Sequence, residues 1–247
     1  MIGIEGNLPY AAVRVQARHG RRLDESGWRR IEASRQLGQY LEVVRGSALA
    51  PWVARIDAAR DAHTIERALR SEWRTDVRMV ASWHPREWQA WLEWWAWLPL
   101  LPLLGRLALP AAVPPWMLAD PVCGPIAVGT AQERSAALAA TPLAPLAVAV
   151  LSGAAIGSAW LEQAARLVPR IDPDTRALLS TLMSMQAPEV AAPTSGPESA
   201  LVRLFSAAAG TAIATGCHLA LALLDLERLR GGLVVRCLFP PASAEAA

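Results

Sequence analysis

Ile65, Leu69, Trp73, Val77 and Val80 return every three or four positions, which commits this stretch to one face of an α-helix and excludes a half-buried strand. A second helical phase follows in Trp88, Trp91, Leu92 and Trp95. Between the two, Ser82-Trp83-His84-Pro85 breaks the first helix. Pro85 and Glu87 then suit the first turn of the next, where a missing N–H is harmless and a carboxylate meets the positive end of the dipole. Residues Ala62 to Leu98 therefore read as two amphipathic helices, the second unusually aromatic. Nothing in the pair looks catalytic; it looks like a surface for packing or docking.

The rest of the chain repeats the pattern. Pro9 to Arg22 reads as a helix with Ala11, Val15 and the stem of Arg18 inward. Asp24-Glu25-Ser26 starts another, predicted to run through Trp28, Ile31, Leu37, Leu41 and Val44 until Gly46 and Ser47 end it. Pro51 opens a short segment, and further helices are predicted over Ala131 to Ala140, Leu143 to Val168 and Pro173 to Met185. No run alternates β-branched and polar residues, so the expected class is all-α. Prolines at 99, 102, 110, 114, 115, 121 and 125 mark an apolar connector that should not continue a helix. The expected organisation is two or three helical-bundle subdomains: an arginine-rich one over 1–98, the connector over 99–129 and an alanine-rich one over 130–247. Pro188 to Pro197 reads as an exposed loop before the last helix.

Composition removes several functions. The 247 residues suffice for a sizeable core and contain no lysine, which rules out a phosphate loop of the Walker type, a Schiff-base lysine and a catalytic lysine. Residues 1–106 hold 16 arginines against 12 acids, and residues 107–247 hold 8 against 10. That excess is too small to dominate a phosphate backbone, so nucleic acid is not an expected partner. Cys123, Cys217 and Cys237 form no C-x-x-C pair, which suits a reducing compartment. Met1 to Tyr10 has no basic segment followed by an apolar run, so no signal peptide is expected there.

Two uncharged stretches, Thr141–Leu161 and Leu204–Leu224, each hold 21 residues, long enough to cross a bilayer. Their content is largely alanine, glycine and hydroxyl residues, which contribute little to insertion. Buried core helices are the first reading of both, and membrane insertion the second.

No chemical motif stands out. His19, His63, His84 and His218 form no H-E-x-x-H, and His218 beside Cys217 would point about 100 degrees away from it on a helix. His19 and His63 read as helix-surface or terminus residues, and His218 as a helix contact. Asp24-Glu25 and Asp172/Asp174 sit at helix starts, where capping explains them. Gly153-Ala-Ala-Ile-Gly157 has the small-x-x-x-small spacing of close helix contacts. No catalytic, cofactor-binding or metal-binding residues and no small-molecule substrate are therefore expected. Tryptophan is the exception to this blandness, with six of the eleven between Trp83 and Trp97. Trp88, Trp91 and Trp95 should turn inward and Trp94 and Trp97 partly outward. Either a partner meets them, or the second subdomain or the connector covers them.

Three places resemble the C subunit of vacuolar- and archaeal-type rotary ATPases, called subunit d in the eukaryotic enzyme. Tyr10-Ala-Ala-Val-Arg14-Val-Gln-Ala-Arg18, followed by Leu23-Asp-Glu, is similar to that family's opening helix, with Gln16 where a second arginine is common. Ile65-Glu-Arg-Ala-Leu69 through Trp95 is similar to the long and short helices of its first subdomain. His218 through Asp225, Glu227, Arg228, Leu229 and Arg230 resembles its late helix, with Arg228 where asparagine is expected. The chain is shorter than the family norm, and its Pro99 to Pro110 run is more apolar than the family's. The resemblance implies a non-enzymatic, all-helical coupling piece that seats the central rotor stalk on the membrane rotor ring in proton or sodium transport. It would need no cofactor and sit peripherally at the cytoplasmic face through its partners, the stalk and ring subunits. Arg14, Arg18, Trp88, Trp91, Trp94, Trp97, Glu227 and Arg230 are the expected partner contacts. A membrane-attached helical protein and a helical enzyme with a dispersed site are the alternatives.

Overall fold

The helix starts at Leu8, Glu25, Ala62, Ala131 and Pro173 are set by side-chain oxygens that accept the first free backbone N–H groups. Asn7 accepts the Tyr10 amide at 2.8 Å, Asp24 that of Gly27 at 2.7 Å, and Asp61 those of His63 and Thr64 at 3.0 Å. Asp172 accepts Thr175 in the same way, so the capping role read for Asp24 and Asp172 is the one they perform. Thr130 and Glu133 close a reciprocal capping box.

The computed structural model describes residues 7–109, 112–186 and 196–240, and within them every regular element is helical. The first half comprises α1 (Leu8–His19), α2 (Glu25–Glu32), α3 (Leu37–Arg45), α4 (Ala50–Val53), α5 (Ala62–Ala81) and α6 (Arg86–Trp94). A 3-10 turn over Trp95–Leu100 leads into α7 (Leu101–Leu107), α8 (Pro115–Leu118) and α9 (Cys123–Ala127). The second half holds α10 (Ala131–Ala139), α11 (Ala147–Ser152), α12 (Ile156–Leu167), α13 (Pro173–Gln186), α14 (Pro197–Ala207) and α15 (Ala212–Leu238).

Several expectations change. The helix predicted from Asp24 to Val44 is two, α2 and α3. Arg236 of α15 explains how the break is tolerated: it donates to the carbonyls of Glu32 at 2.9 Å and Ser34 at 2.7 Å. Leu143 to Val168 is likewise divided, because Gly153 ends α11 in the left-handed region at φ +73°. Gly153 and Gly157 thus lie on different elements and form no common stripe. Gly210, at φ +85°, separates α14 from α15 inside the stretch Leu204–Leu224. Both uncharged stretches are interrupted by a left-handed glycine, and among the described residues no helix is long and apolar enough to cross a membrane. The predicted loop over Pro188 to Pro197 lies, up to Ser195, outside the described residues.

The connector is helical where it was expected not to be. Pro102 and Pro115 fall in the first turns of α7 and α8, where no N–H is needed, and Pro99 sits inside the 3-10 turn. Asp120 fastens this region to α5, accepting from the amides of Val122 and Cys123 and from Arg70 at 2.8 Å. Burial opposes that charge, but these donors hold its pKa below the ordinary value. One apolar cluster runs from Ala11 to Leu233 through all three predicted regions, so they share a core.

Candidate functional site

The tryptophans form part of that core. Trp91, Trp95 and Trp160 are almost wholly buried and Trp94 is 5% exposed. Trp94 and Trp160 exchange bonds: the Trp94 indole donates to the Trp160 carbonyl at 3.1 Å, and the Trp160 indole to the Trp94 carbonyl at 3.3 Å. Trp73 donates to the Trp95 carbonyl at 2.9 Å. Indole N–H groups from α12 and α5 thus reach the carbonyls of Trp94, the last residue of α6, and of Trp95, the first of the 3-10 turn. Edge-to-face contacts join Trp91 to Trp95 and Trp95 to Trp160, at centroid distances of 5.9 and 5.6 Å. Trp91 and Trp94 therefore offer no partner surface. The second half covers Trp94 through α12, correcting its outward placement. Trp88 and Trp97 remain half-buried, with the Arg74 guanidinium 5.7 Å from the Trp97 ring.

His84, in the turn between α5 and α6, links it to α15. Its Nδ1 lies 3.1 Å from the Val80 carbonyl and must donate, so Nε2, 2.9 Å away, accepts from the Thr215 hydroxyl. Burial lowers its pKa, which keeps the ring neutral and suits this tautomer.

A more open arrangement lies where α1, α5 and α15 meet. Arg18 of α1 holds both oxygens of Asp76 on α5, at 2.6 and 2.7 Å. Arg22, in the turn after α1, forks onto Asp225 of α15 at 2.7 and 2.9 Å and reaches Glu198 at 3.2 Å. Burial lifts the Asp225 carboxyl above its ordinary value although Arg22 pulls it down. Arg230 bridges Glu66 of α5 and Glu227, each at 2.8 Å, and Arg228 holds Glu25 and Glu32 of α2. Arg18, Glu227 and Arg230 thus serve contacts within the molecule.

Around the Arg18–Asp76 pair opens a cleft of about 640 Å³. Arg14, Arg18, Arg21 and Arg22 line one wall; Asp76, Met79 and Trp83 line another; His218 and Asp225 contribute from α15, and Leu49 and Trp52 from the turn before and within α4. Arg14 lies over the Trp83 ring at 4.4 Å. Among the described residues neither Arg14 nor Arg21 has an acidic partner. His218 is 4% exposed, and its Nδ1 and the Nη1 of Arg18 are buried without a hydrogen-bond partner among the described residues. Burial, followed by the charges of Arg18, His19 and Arg22, pushes the His218 pKa down to about 3. His19 stacks on Phe205 at 3.9 Å.

Sequence reasoning found Arg14 and Arg18 but not Arg21, Arg22, Asp76, Trp83 or His218 as neighbours. A signal was present: α1 carries arginines without one acidic residue, on and beside the face of its buried Ala11 and Val15. Elsewhere, burial pushes the thiols of Cys123 and Cys217 up to about 12, and among the described residues no group of His, Cys, Asp or Glu could hold a metal ion. No family model, curated protein or solved structure matches the chain.

Proposed function

We propose that this chain is a non-catalytic coupling subunit of a vacuolar- or archaeal-type rotary ATPase, joining the central stalk to the membrane rotor ring in proton or sodium transport. One observation carries the reading. The three stretches that resemble the C subunit family, far apart in sequence, lie on α1, α5–α6 and α15, and these meet through Arg18–Asp76, Arg22–Asp225 and Arg230–Glu66. A coupling piece must carry torque between partners without deforming, and charge pairs, partly buried at Arg18–Asp76 and Arg22–Asp225, that tie first, middle and last helices together serve that need. The surface left for partners is the rim of the cleft, with Arg14 and Arg21 beside exposed Val13 and Met79, and the half-buried Trp88 and Trp97. In this reading the chain is peripheral, held at the cytoplasmic face by its partners.

Affinity purification of the tagged chain from gently solubilised native membranes tests it. Stalk and ring subunits should co-purify and be identified by mass spectrometry, and salt washing should release the chain without detergent. Recovery without any such subunit would overturn the proposal.

A further inference from the structure

The cleft between α1, α5 and α15 contains more positive charge than its own acids balance: four arginines line it against two aspartates, both already engaged. Arg14 and Arg21 are the unmatched pair. They lie seven positions apart, and because the turn after α1 continues with i to i−3 bonds, their backbones are separated by roughly 10 Å along the axis. Two flexible guanidinium arms over that span can close on one multiply charged anion, and linked phosphates offer them more acceptor oxygens than a single carboxylate does. Deeper in, Arg18 Nη1 and His218 Nδ1 are buried without partners among the described residues, so the floor of the cleft is polar and unsatisfied as well as positively charged. The remaining walls are apolar: Trp83, Met79, Leu49 and Trp52. The volume of about 640 Å³ is that of an ordinary small-molecule site.

We infer that this cleft binds a soluble polyphosphate anion, with the phosphates held by Arg14 and Arg21 at its mouth and any organic body resting on the exposed Met79 and Val13. Guanidinium forks match phosphate oxygens in geometry as well as charge. The C-terminal end of α1 opposes an anion nearby, but charge-assisted bonds from two guanidiniums outweigh a partial charge. Arg22 stays on Asp225 and Glu198 and takes no part. The inference does not depend on the coupling role, since it rests only on the composition of the cleft.

Isothermal titration of the full chain with pyrophosphate, and separately with ATP without metal, tests the inference. One saturable site is expected, weakened several-fold between low and physiological salt. The double variant Arg14→Gln/Arg21→Gln breaks no ion pair and should weaken binding at least about tenfold while its circular dichroism is unchanged. Arg29→Gln/Arg30→Gln, on the exposed face of α2, should leave affinity within about twofold. Absence of saturable binding to either anion, or binding that the first variant leaves intact, would overturn the inference. So would binding only to vesicles containing phosphatidylglycerol, because the phosphate would then be a lipid headgroup's.

Discussion

The tryptophan cluster and the arginine seam join distant parts of the same chain by opposite means. Around Trp94, Trp95 and Trp160 the contact is dry, the area is apolar and two indole N–H groups close on carbonyls across the α6–α12 contact. Where α1 meets α5 and α15 the joint is ionic and opens into a cleft. A dry aromatic joint gains its free energy from area and packing and is indifferent to salt and mild acid. An ionic joint depends on keeping every buried charge matched, and it can leave donors over for something else. Both joints tie distant helices together, but only the second leaves charged groups over for chemistry.

The largest expected effect tests the aromatic joint. Trp160→Ala removes a buried indole and orphans its bond to the Trp94 carbonyl, so urea unfolding should show a loss of about 3–5 kcal/mol. A loss below about 1 kcal/mol would mean that the cluster does not join the two halves. Asp225→Asn in the ionic joint should cost less than the roughly 3–5 kcal/mol of a wholly buried pair, because Arg22 keeps Glu198. Its loss should also resist added salt, since Asp225 is buried.

Acid distinguishes the regions next. His218 titrates near 3 in the fold and near 6.5 when unfolded, and His84 shifts in the same direction. Below about pH 6.5 the unfolded chain binds more protons than the native one, so stability falls with pH through the window from 6.5 toward 3. The His218 share is about 2 kcal/mol at pH 5, partly offset by Asp225, whose raised pKa acts with the opposite sign. The slope should shrink in His218→Asn; an unchanged slope would assign the acid sensitivity elsewhere.

The smallest effects come from two glycines of α15. A Cβ at Gly216 would lie 2.6 Å from the Trp91 ring and 2.7 Å from Leu178, so Gly216→Ala should lose about 1–3 kcal/mol by overpacking. Gly231 meets nothing within 4 Å, and Gly231→Ala should gain about 0.5–1 kcal/mol from helix propensity. Equal shifts in melting temperature for the two would show that α15 does not press against the tryptophan cluster.

The local code of this chain was legible in advance. The apolar spacing of α5 and α6 and the caps Asp24 and Asp172 are short-range physics, expressed within a turn or two of backbone, and the all-helical class followed from them. Even so, propensity alone carried the predicted helix straight from Asp24 to Val44. Only Arg236, about two hundred residues on, makes the break affordable by satisfying the carbonyls of Glu32 and Ser34. Likewise the row of tryptophans announced an aromatic helix but not what covers it, because Trp94 is hidden by Trp160 of α12. The cleft was the least visible feature, since it requires α1, α5 and α15 to be neighbours. What this sequence determines by itself is where helices form and which faces are apolar, because those depend on residues three and four positions apart. Which charges find partners, and which arginines are left without one, was decided only by tertiary packing, because a buried charge responds to whatever lies within a few ångströms and not to its place in the chain.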